Sequence, residues 1–473
     1  MYGIERDRHN RRAIIFLFSA ATHALYGNDL TPVIDHSFAD GYFGVMKEER
    51  PINTSRLSDI VAKMWELKNS DNQIQYNKTL PIHWKHLHAP KFQGKKPPLL
   101  RLNGFEAPSF EFTTLDLENI PDFDLVPYEN GFVLRIGKKD QERFPAFVTY
   151  PKLFKAMKSS EDWARVLKIP SISELNEQIE THGFKEMIWV AEGLHEKQLA
   201  AISDGILKRP KIKFIFIAGP SSSGKTTFTK RLAIQLRVNG INSKLLSMDD
   251  YFISREKMIP LPDGTLDFES IDCMDISLLQ QDFKKLENGE PIFKREYDFQ
   301  RGEGQETEET ITLAENEVLI IEGIHGLNPA LSANISKETF YRIYTSALTS
   351  LNMDNFHPIS TSDSRLIRRM VRDYNFRGYS VEDTLNRWQS VRYGEMHNIF
   401  PYQEEADAMF NSALVYEMSV LRQYALPLLR QAPKSTVRDR LITLLSFFHR
   451  IPDKFVPGTS ILREFIGKSY FTY

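Results

Sequence analysis

Eight consecutive residues, Gly219, Pro220, Ser221, Ser222, Ser223, Gly224, Lys225 and Thr226, match G-x-x-x-x-G-K-[ST] without deviation, and Thr227 follows them. Glycines at the two ends let the backbone turn with its amides facing inward. Those amides make a nest for phosphate oxygens, and the helix that follows points its positive end at them. Lys225 is placed to reach the β- and γ-phosphates, and Thr226 offers a hydroxyl to Mg²⁺. The motif follows an apolar run, Phe214 to Ala218, and opens an amphipathic helix from about Lys225 to Arg237, which is the setting this chemistry needs. Such a loop specifies a nucleotide and leaves the reaction open.

The reaction must come from other residues. Asp249 and Asp250 follow a second apolar run, Lys244 to Met248. At the carboxyl end of a strand beside the phosphate loop, one of them can take a proton from an attacking hydroxyl; the alternative is a pair of turn and cap residues. Val318 to Ile321 is a third apolar run and ends in Glu322, an acid suited to holding Mg²⁺ directly or through water. His325 follows it, placed either to touch phosphate or substrate or to pack beneath a loop. Arg365, Arg368, Arg369 and Arg372 share one side of a helix, with Arg377 beyond. Four like charges there need an anion or acid opposite. A phosphate-closing lid, a nucleic-acid face and a solvated basic helix are the three readings.

These residues need a scaffold. The chain has 473 residues, too many for one core. Short apolar runs alternating with helical stretches from Lys211 onward predict an α/β unit with a doubly wound parallel sheet, its ligand at the carboxyl ends of the strands. Residues 1–154 read as a mixed α+β unit: a helix from Arg11 to Tyr26, strands near Thr31–His36 and Gly41–Met46, a helix Ser55–Lys68 capped by Thr54, and a strand Phe132–Ile136. Residues 155–209 read as a helical connector, and residues 210–473 as the nucleotide-binding domain with a helical C-terminal extension. The single cysteine, Cys273, excludes a disulfide scaffold and a Cys-based zinc site. A net charge of -2 leaves no global basic excess to hold nucleic acid. The most apolar early run, Ala13 to Ala21, is too short for a membrane span and reads as a buried helix rather than a signal peptide. A cytoplasmic enzyme is expected. His83, His86 and His88 read as an exposed loop between prolines rather than a metal site, and Gly94 to Pro98 as a solvated turn.

The span from about Phe214 to Gln423 resembles the uridine kinase and phosphoribulokinase group of P-loop kinases. The matching stretches are GPSSSGKTT (219–227), SMDDYF (247–252), DFESID (267–272), REYDF (295–299), LIIEGIHGLN (319–328) and RLIRRMVRDYNFRGYS (365–380), in the family's order. The resemblance implies a P-loop NTPase fold and transfer of the γ-phosphoryl of ATP or GTP, with Mg²⁺, to the 5′-hydroxyl of a nucleoside. It implies Asp249 as general base, Tyr251 in the nucleoside pocket, Glu269 holding ribose where these kinases usually have Asp, Tyr297 and Asp298 beside the base, and Arg369, Arg372 and Arg377 as lid arginines. One departure is plain: these kinases place a histidine a few residues after the YDF motif, and Gln300 to Gly304 contains none. Base selection should then be relaxed or altered.

The whole chain is similar to a subgroup in which such a kinase follows a domain resembling the second additional domain of threonyl-tRNA synthetase. Arg12 to Met46 carries that likeness, and Pro457 to Gly467 also matches the subgroup. The synthetase's H-x-x-x-H pair falls on Arg12 and Phe16, so its editing chemistry is not expected here. The subgroup often carries a small ubiquitin-like domain further upstream, and this chain begins too late to contain it. Two other functions stay open: a P-loop kinase for a different small alcohol, and a nucleotide-sensing regulatory protein that holds tRNA. Homo-oligomer formation is also left open.

Overall fold

The computed structural model describes residues 2–47, 53–70, 73–77, 98–111, 113–137, 144–259, 268–298 and 301–472, with side chains from residue 7 onward. The histidine-bearing stretch 81–90, the basic turn at 94–97, and residues 267, 299 and 300 lie outside the described residues. No helix among the described residues is long and apolar enough to cross a membrane.

The N-terminal unit is α1 (Tyr2–Tyr26), β1 (Pro32–Phe38), β2 (Gly41–Met46), α2 (Thr54–Lys68), β3 (Gln75–Asn77), β4 (Leu99–Leu102), β5 (Phe105–Pro108), β6 (Phe123–Tyr128) and β7 (Gly131–Ile136). An antiparallel sheet of order β1-β2-β7-β6 packs against α1 and α2, and β3, β4 and β5 form a second, smaller sheet. The run Ala13 to Ala21 is buried, as expected of a core helix. The cap of α2 is Asn53, whose side chain accepts from the Ser55 amide, so Thr54 begins the helix rather than capping it. Three helices follow: α3 (Pro151–Val166), α4 (Ile172–Glu180) and α5 (Phe184–Leu207). The connector's helical pattern thus begins four residues earlier than its periodicity indicated, at Pro151, which supplies the first turn with a residue needing no amide donor.

The C-terminal unit is β8 (Phe214–Ala218), α6 (Lys225–Val238), β9 (Asn242–Ser247), α7 (Ile276–Glu287), β10 (Ile292–Asp298), β11 (Glu303–Ile311), β12 (Glu317–Glu322), β13 (Phe340–Ser346), α8 (Thr361–Phe376), α9 (Val381–Asn398), β14 (Ala408–Asn411), α10 (Glu417–Gln431), α11 (Thr436–Ser446) and α12 (Arg463–Ile466). Its sheet is parallel, of order β14-β13-β8-β12-β9. The central strands are apolar on both faces because helices cover both. Ile215, Ile217, Val318 and Ile320 face a layer containing α6, α8 and α10, while Phe214, Phe216, Leu319 and Ile321 face α7. The chain leaves β8, passes over β12 to β9, and later returns to the far side of β8 at β13. The order of strands therefore reverses between β8 and β12, where ligands bind in open α/β sheets. β10 and β11 form a separate antiparallel ribbon.

The two units share buried charge. Arg8 donates to both oxygens of Glu111 at 2.7 Å and to Asp363 at 2.6 Å. Arg12 donates to Glu111 at 3.0 Å, and Arg440 to Asp363 at 3.0 Å. Asp363 stands in the first turn of α8, so the N-terminal helix grips the helix that carries the arginine cluster. The backbone agrees: the Ile34 amide donates to Asn355 O at 2.8 Å, and Phe356 enters the N-terminal core. Burial raises the Glu111 carboxyl, but Arg12 and Arg8 overcome it and hold the group well below the usual carboxylate range. Its stabilising effect is therefore full above the unfolded value near about 4.3 and fades as pH falls through the lower folded value. Glu111→Gln takes the carboxylate from Arg12 and one of two from Arg8, and is expected to cost about 3 kcal/mol at pH 7. The urea midpoint should drop at pH 7, and the gap from the parent chain should narrow toward pH 3.

Candidate active site

The phosphate loop occupies the turn from β8 into α6. Gly219 is forced by space: a Cβ there would lie 1.9 Å from Thr345 O. Gly224 has φ +82° and a Cβ there would lie 2.5 Å from Ile461 Cγ2, so conformation and packing both demand glycine. Ser222 takes φ 58° and completes the left-handed kink. Amides can face inward only if the loop's carbonyls find donors outside. Two arginines supply them. Arg365 donates to Ser221 O at 3.1 Å and Arg368 to Ser222 O at 3.4 Å. Both guanidiniums are at most 1% exposed and are neutralised by buried acids, Arg365 by Glu395 of α9 and Arg368 by Glu417 of α10.

That finding divides the arginine helix. Arg365 and Arg368 do not face an anion or water; they brace the loop from behind. Arg369 and Arg377 reach residues of the site, and Arg372 joins them through Asp373. Arg369 donates to Ser221 Oγ at 2.8 Å. Asp373, 2% exposed, is shared by all three, at 3.2, 2.7 and 3.8 Å. Three guanidiniums gathered on one buried carboxylate, with Glu269 and Asp249 acting on Arg369 and Arg377, make a cluster suited to a multiply charged anion. A wholly solvated basic helix is therefore excluded.

Lys225 folds over the loop, donating to Gly219 O at 2.9 Å and Pro220 O at 3.3 Å. Burial lowers its basicity, and four carboxylates restore much of it: Glu322, Asp249, Glu464 and Glu269. Glu322, at the end of β12, accepts from the Thr226 hydroxyl at 3.0 Å, while its other oxygen is buried with no hydrogen-bond partner among the described residues. Burial pushes Glu322 up to about 7, against Lys225 and aided by Glu464 and Asp249. A hydroxyl, a carboxylate and an orphaned anionic oxygen fit a hard cation such as Mg²⁺, which takes few protein oxygens and completes its shell with phosphate and water. The fit has a cost. At pH 8 the ionised group destabilises the fold, a penalty that disappears as pH falls below the unfolded value near about 4.3. Glu322→Gln is expected to stabilise the apoprotein by about 2 kcal/mol at pH 8, measured as a higher unfolding midpoint, and to abolish turnover.

Asp249 and Asp250 occupy a single 3-10 turn after β9 and diverge there. Asp250 accepts from the Tyr297 amide at 3.3 Å and so pins β10; burial pushes it up to about 6. Asp249 is exposed at the same turn. Desolvation by the surrounding protein raises its carboxyl, while Lys225 and Arg377 act to lower it. Of the pair, Asp249 is the one left facing the phosphate loop.

Other expected positions are distributed differently. Tyr251 is 2% exposed, its ring in the core and its hydroxyl on Asp282 at 2.8 Å, so it supports the turn rather than lining a pocket. His325 is 1% exposed and burial drives it down to about 4; it is a neutral packing group, not a cation for phosphate. Tyr297 packs on Phe252, with ring centroids 5.5 Å apart. Asp298 accepts the Arg301 amide at 3.1 Å at the β10–β11 turn. Glu269 lies against α9, where a Cβ on Gly394 would come within 2.3 Å of its own, and its charge reaches Lys225 and Arg369. In the N-terminal unit, Arg12 belongs to the charge bridge and Phe16 packs on Phe105 with centroids 5.4 Å apart.

Four acids escaped sequence reasoning: Glu395, Glu417, Asp373 and Glu464. Only Asp373 left a trace, standing four residues from both Arg369 and Arg377 at helical spacing.

Residues 214–419 match the model of the phosphoribulokinase/uridine kinase family. A uridine kinase of Macrococcus caseolyticus is 29% identical over 199 residues, covering 42% of this chain and 86% of the relative. A uridine kinase of Staphylococcus epidermidis is 30% identical over 196 residues, covering 41% of this chain and 84% of the relative. A uridine kinase of Clostridium perfringens is 30% identical over 203 residues, covering 42% and 86%. The matched span contains the phosphate loop, both acidic strand ends and the arginine helix. On this ground the chain belongs to the phosphoribulokinase/uridine kinase family of P-loop kinases.

Proposed function

We propose that the protein transfers the γ-phosphoryl group of ATP or GTP to the 5′-hydroxyl of a uridine- or cytidine-like nucleoside. The observation that carries this reading is Asp249 after β9, within electrostatic reach of Lys225 and Arg377, its carboxylate taking no hydrogen bond among the described residues. The loop amides and Lys225 hold the triphosphate. Asp249 accepts the proton of the incoming hydroxyl or orients it. Lys225, Arg369, Arg372 and Arg377 stabilise charge on the transferring group. Thr226 and Glu322 would hold Mg²⁺, which supplies charge neutralisation to the phosphate oxygens when bound. Glu269, Tyr297 and Asp298 are the proposed nucleoside contacts.

The uridine kinases at about this level of identity support a nucleoside acceptor. The stretch Arg301 to Gly304 offers no histidine to read the base, and base discrimination is accordingly weak. The N-terminal unit acts here as a buttress, fixing α8 through Arg8 and Asp363.

An acceptor screen tests the reading. The protein is incubated with ATP or GTP, Mg²⁺ and each nucleoside or sugar alcohol, and diphosphate release is followed. Turnover with pyrimidine nucleosides is expected. Turnover confined to a phosphosugar or polyol transfers the site to another alcohol. Nucleotide-dependent tRNA retention with no turnover makes it a sensing module.

A further inference from the structure

The C-terminal segment is seated on the phosphate loop. Ser460, Ile461 and Leu462 are fully buried, and Ile461 fills the space that a side chain on Gly224 would need. This fixes the backbone of α12, whose Glu464 is only partly covered. The Glu464 carboxylate accepts the Thr227 amide at 3.1 Å and the Thr227 hydroxyl at 2.8 Å with the same oxygen. Gly224 precedes α6 with no side chain to cap it, so Glu464 caps the helix from 237 residues away. The donors it takes are the amide and hydroxyl of Thr227, directly after the phosphate loop in the first turn of α6, the end of a helix at which anions bind. It also adds negative charge beside Lys225 and Glu322.

Resting on the reading of this loop as a triphosphate cradle, we propose that Glu464 is an affinity-setting residue for the nucleotide: its carboxylate stands in for a phosphate on Thr227 and must yield those donors when the triphosphate enters. A fixed backbone with a partly exposed side chain suits this, because one rotamer change releases the amide without unseating the segment. The built-in anion lowers the affinity for triphosphate and diphosphate alike, which favours product release over ground-state binding.

Glu464→Gln separates charge from shape. The amide oxygen still accepts from Thr227, so a purely structural cap is kept, but the charge is gone. Titration calorimetry at fixed ionic strength with Mg–ATP, inorganic tripolyphosphate and adenosine gives the answer. About tenfold tighter binding of both phosphate compounds, with adenosine unchanged, is expected. Equal or weaker binding of the phosphate compounds by the folded variant overturns the proposal while leaving the cradle intact. If the parent chain binds neither phosphate compound, the cradle reading and the proposal both fall. A variant that does not fold is replaced by a crystal of the unaltered chain with Mg²⁺ and a non-hydrolysable ATP analogue. There the Glu464 carboxylate should have left Thr227 and a phosphate oxygen taken its place; persistence of both hydrogen bonds contradicts the inference.

Discussion

Asp249→Asn is expected to lower kcat by about a thousandfold while nucleotide affinity holds or improves, because the substitution removes a proton acceptor and a negative charge but nothing that grips phosphate. The two neighbouring carboxylates diverge in what they hold. Asp250 is committed to the Tyr297 amide, so Asp250→Asn keeps that acceptor and should cost far less in kcat. Asp249 makes no such bond through its carboxylate among the described residues; crowding raises that carboxyl, with Lys225 and Arg377 opposing, which suits a group that takes up a proton. Single-turnover rates with saturating nucleotide separate the two variants. Comparable losses in both would remove Asp249 from its special role.

Lys225→Met should be the most damaging change for nucleotide handling. The ammonium interacts with four carboxylates at the loop's centre, and it ties Gly219 O and Pro220 O. Its loss withdraws a positive charge from the transferring phosphoryl group and leaves Glu322, Asp249 and Glu464 in mutual repulsion. A drop in kcat/KM of about a thousandfold is expected, appearing in both KM and kcat, since the ammonium acts in the ground state and the transition state. Glu322 should then take up a proton more readily than in the parent chain. A difference titration of the apoproteins across pH 6–9 reads this directly.

How far the site was legible depended on how local its determinants are. The phosphate loop was fully readable because its amides, lysine and threonine are contiguous and their spacing is dictated by one turn and one helix start. Glu322 and Asp249 were readable because a buried parallel strand announces itself as an apolar run, and its end lies at the ligand edge of the sheet. The arginine helix was half readable. Periodicity placed Arg365, Arg368, Arg369 and Arg372 together, but which of them face the core depends on Glu395 and Glu417, which arrive from α9 and α10. Glu464 had no local signal at all: its role exists only because the chain's end packs on Gly224. Tyr251 was misplaced by the resemblance, since its ring turns to Asp282, a partner on α7.

The fold shows the same division. β8 and β12 are apolar and were expected. β11 is not: Glu303 to Ile311 is almost wholly polar, and only its register with β10 makes it a strand. The inter-unit bridge was hidden because Arg8, Glu111, Asp363 and Arg440 are distant in sequence and meet only once both units are folded.

The central claim is that a phosphate moves from the nucleotide cradle to an alcohol poised at Asp249. It is tested most directly by following γ-labelled ATP with a pyrimidine nucleoside and locating the label by phosphorus NMR and mass spectrometry. The account predicts label on the nucleoside 5′-oxygen with the intact chain and almost none with Asp249→Asn. Label recovered solely as inorganic phosphate, or equal transfer by both proteins, would contradict it.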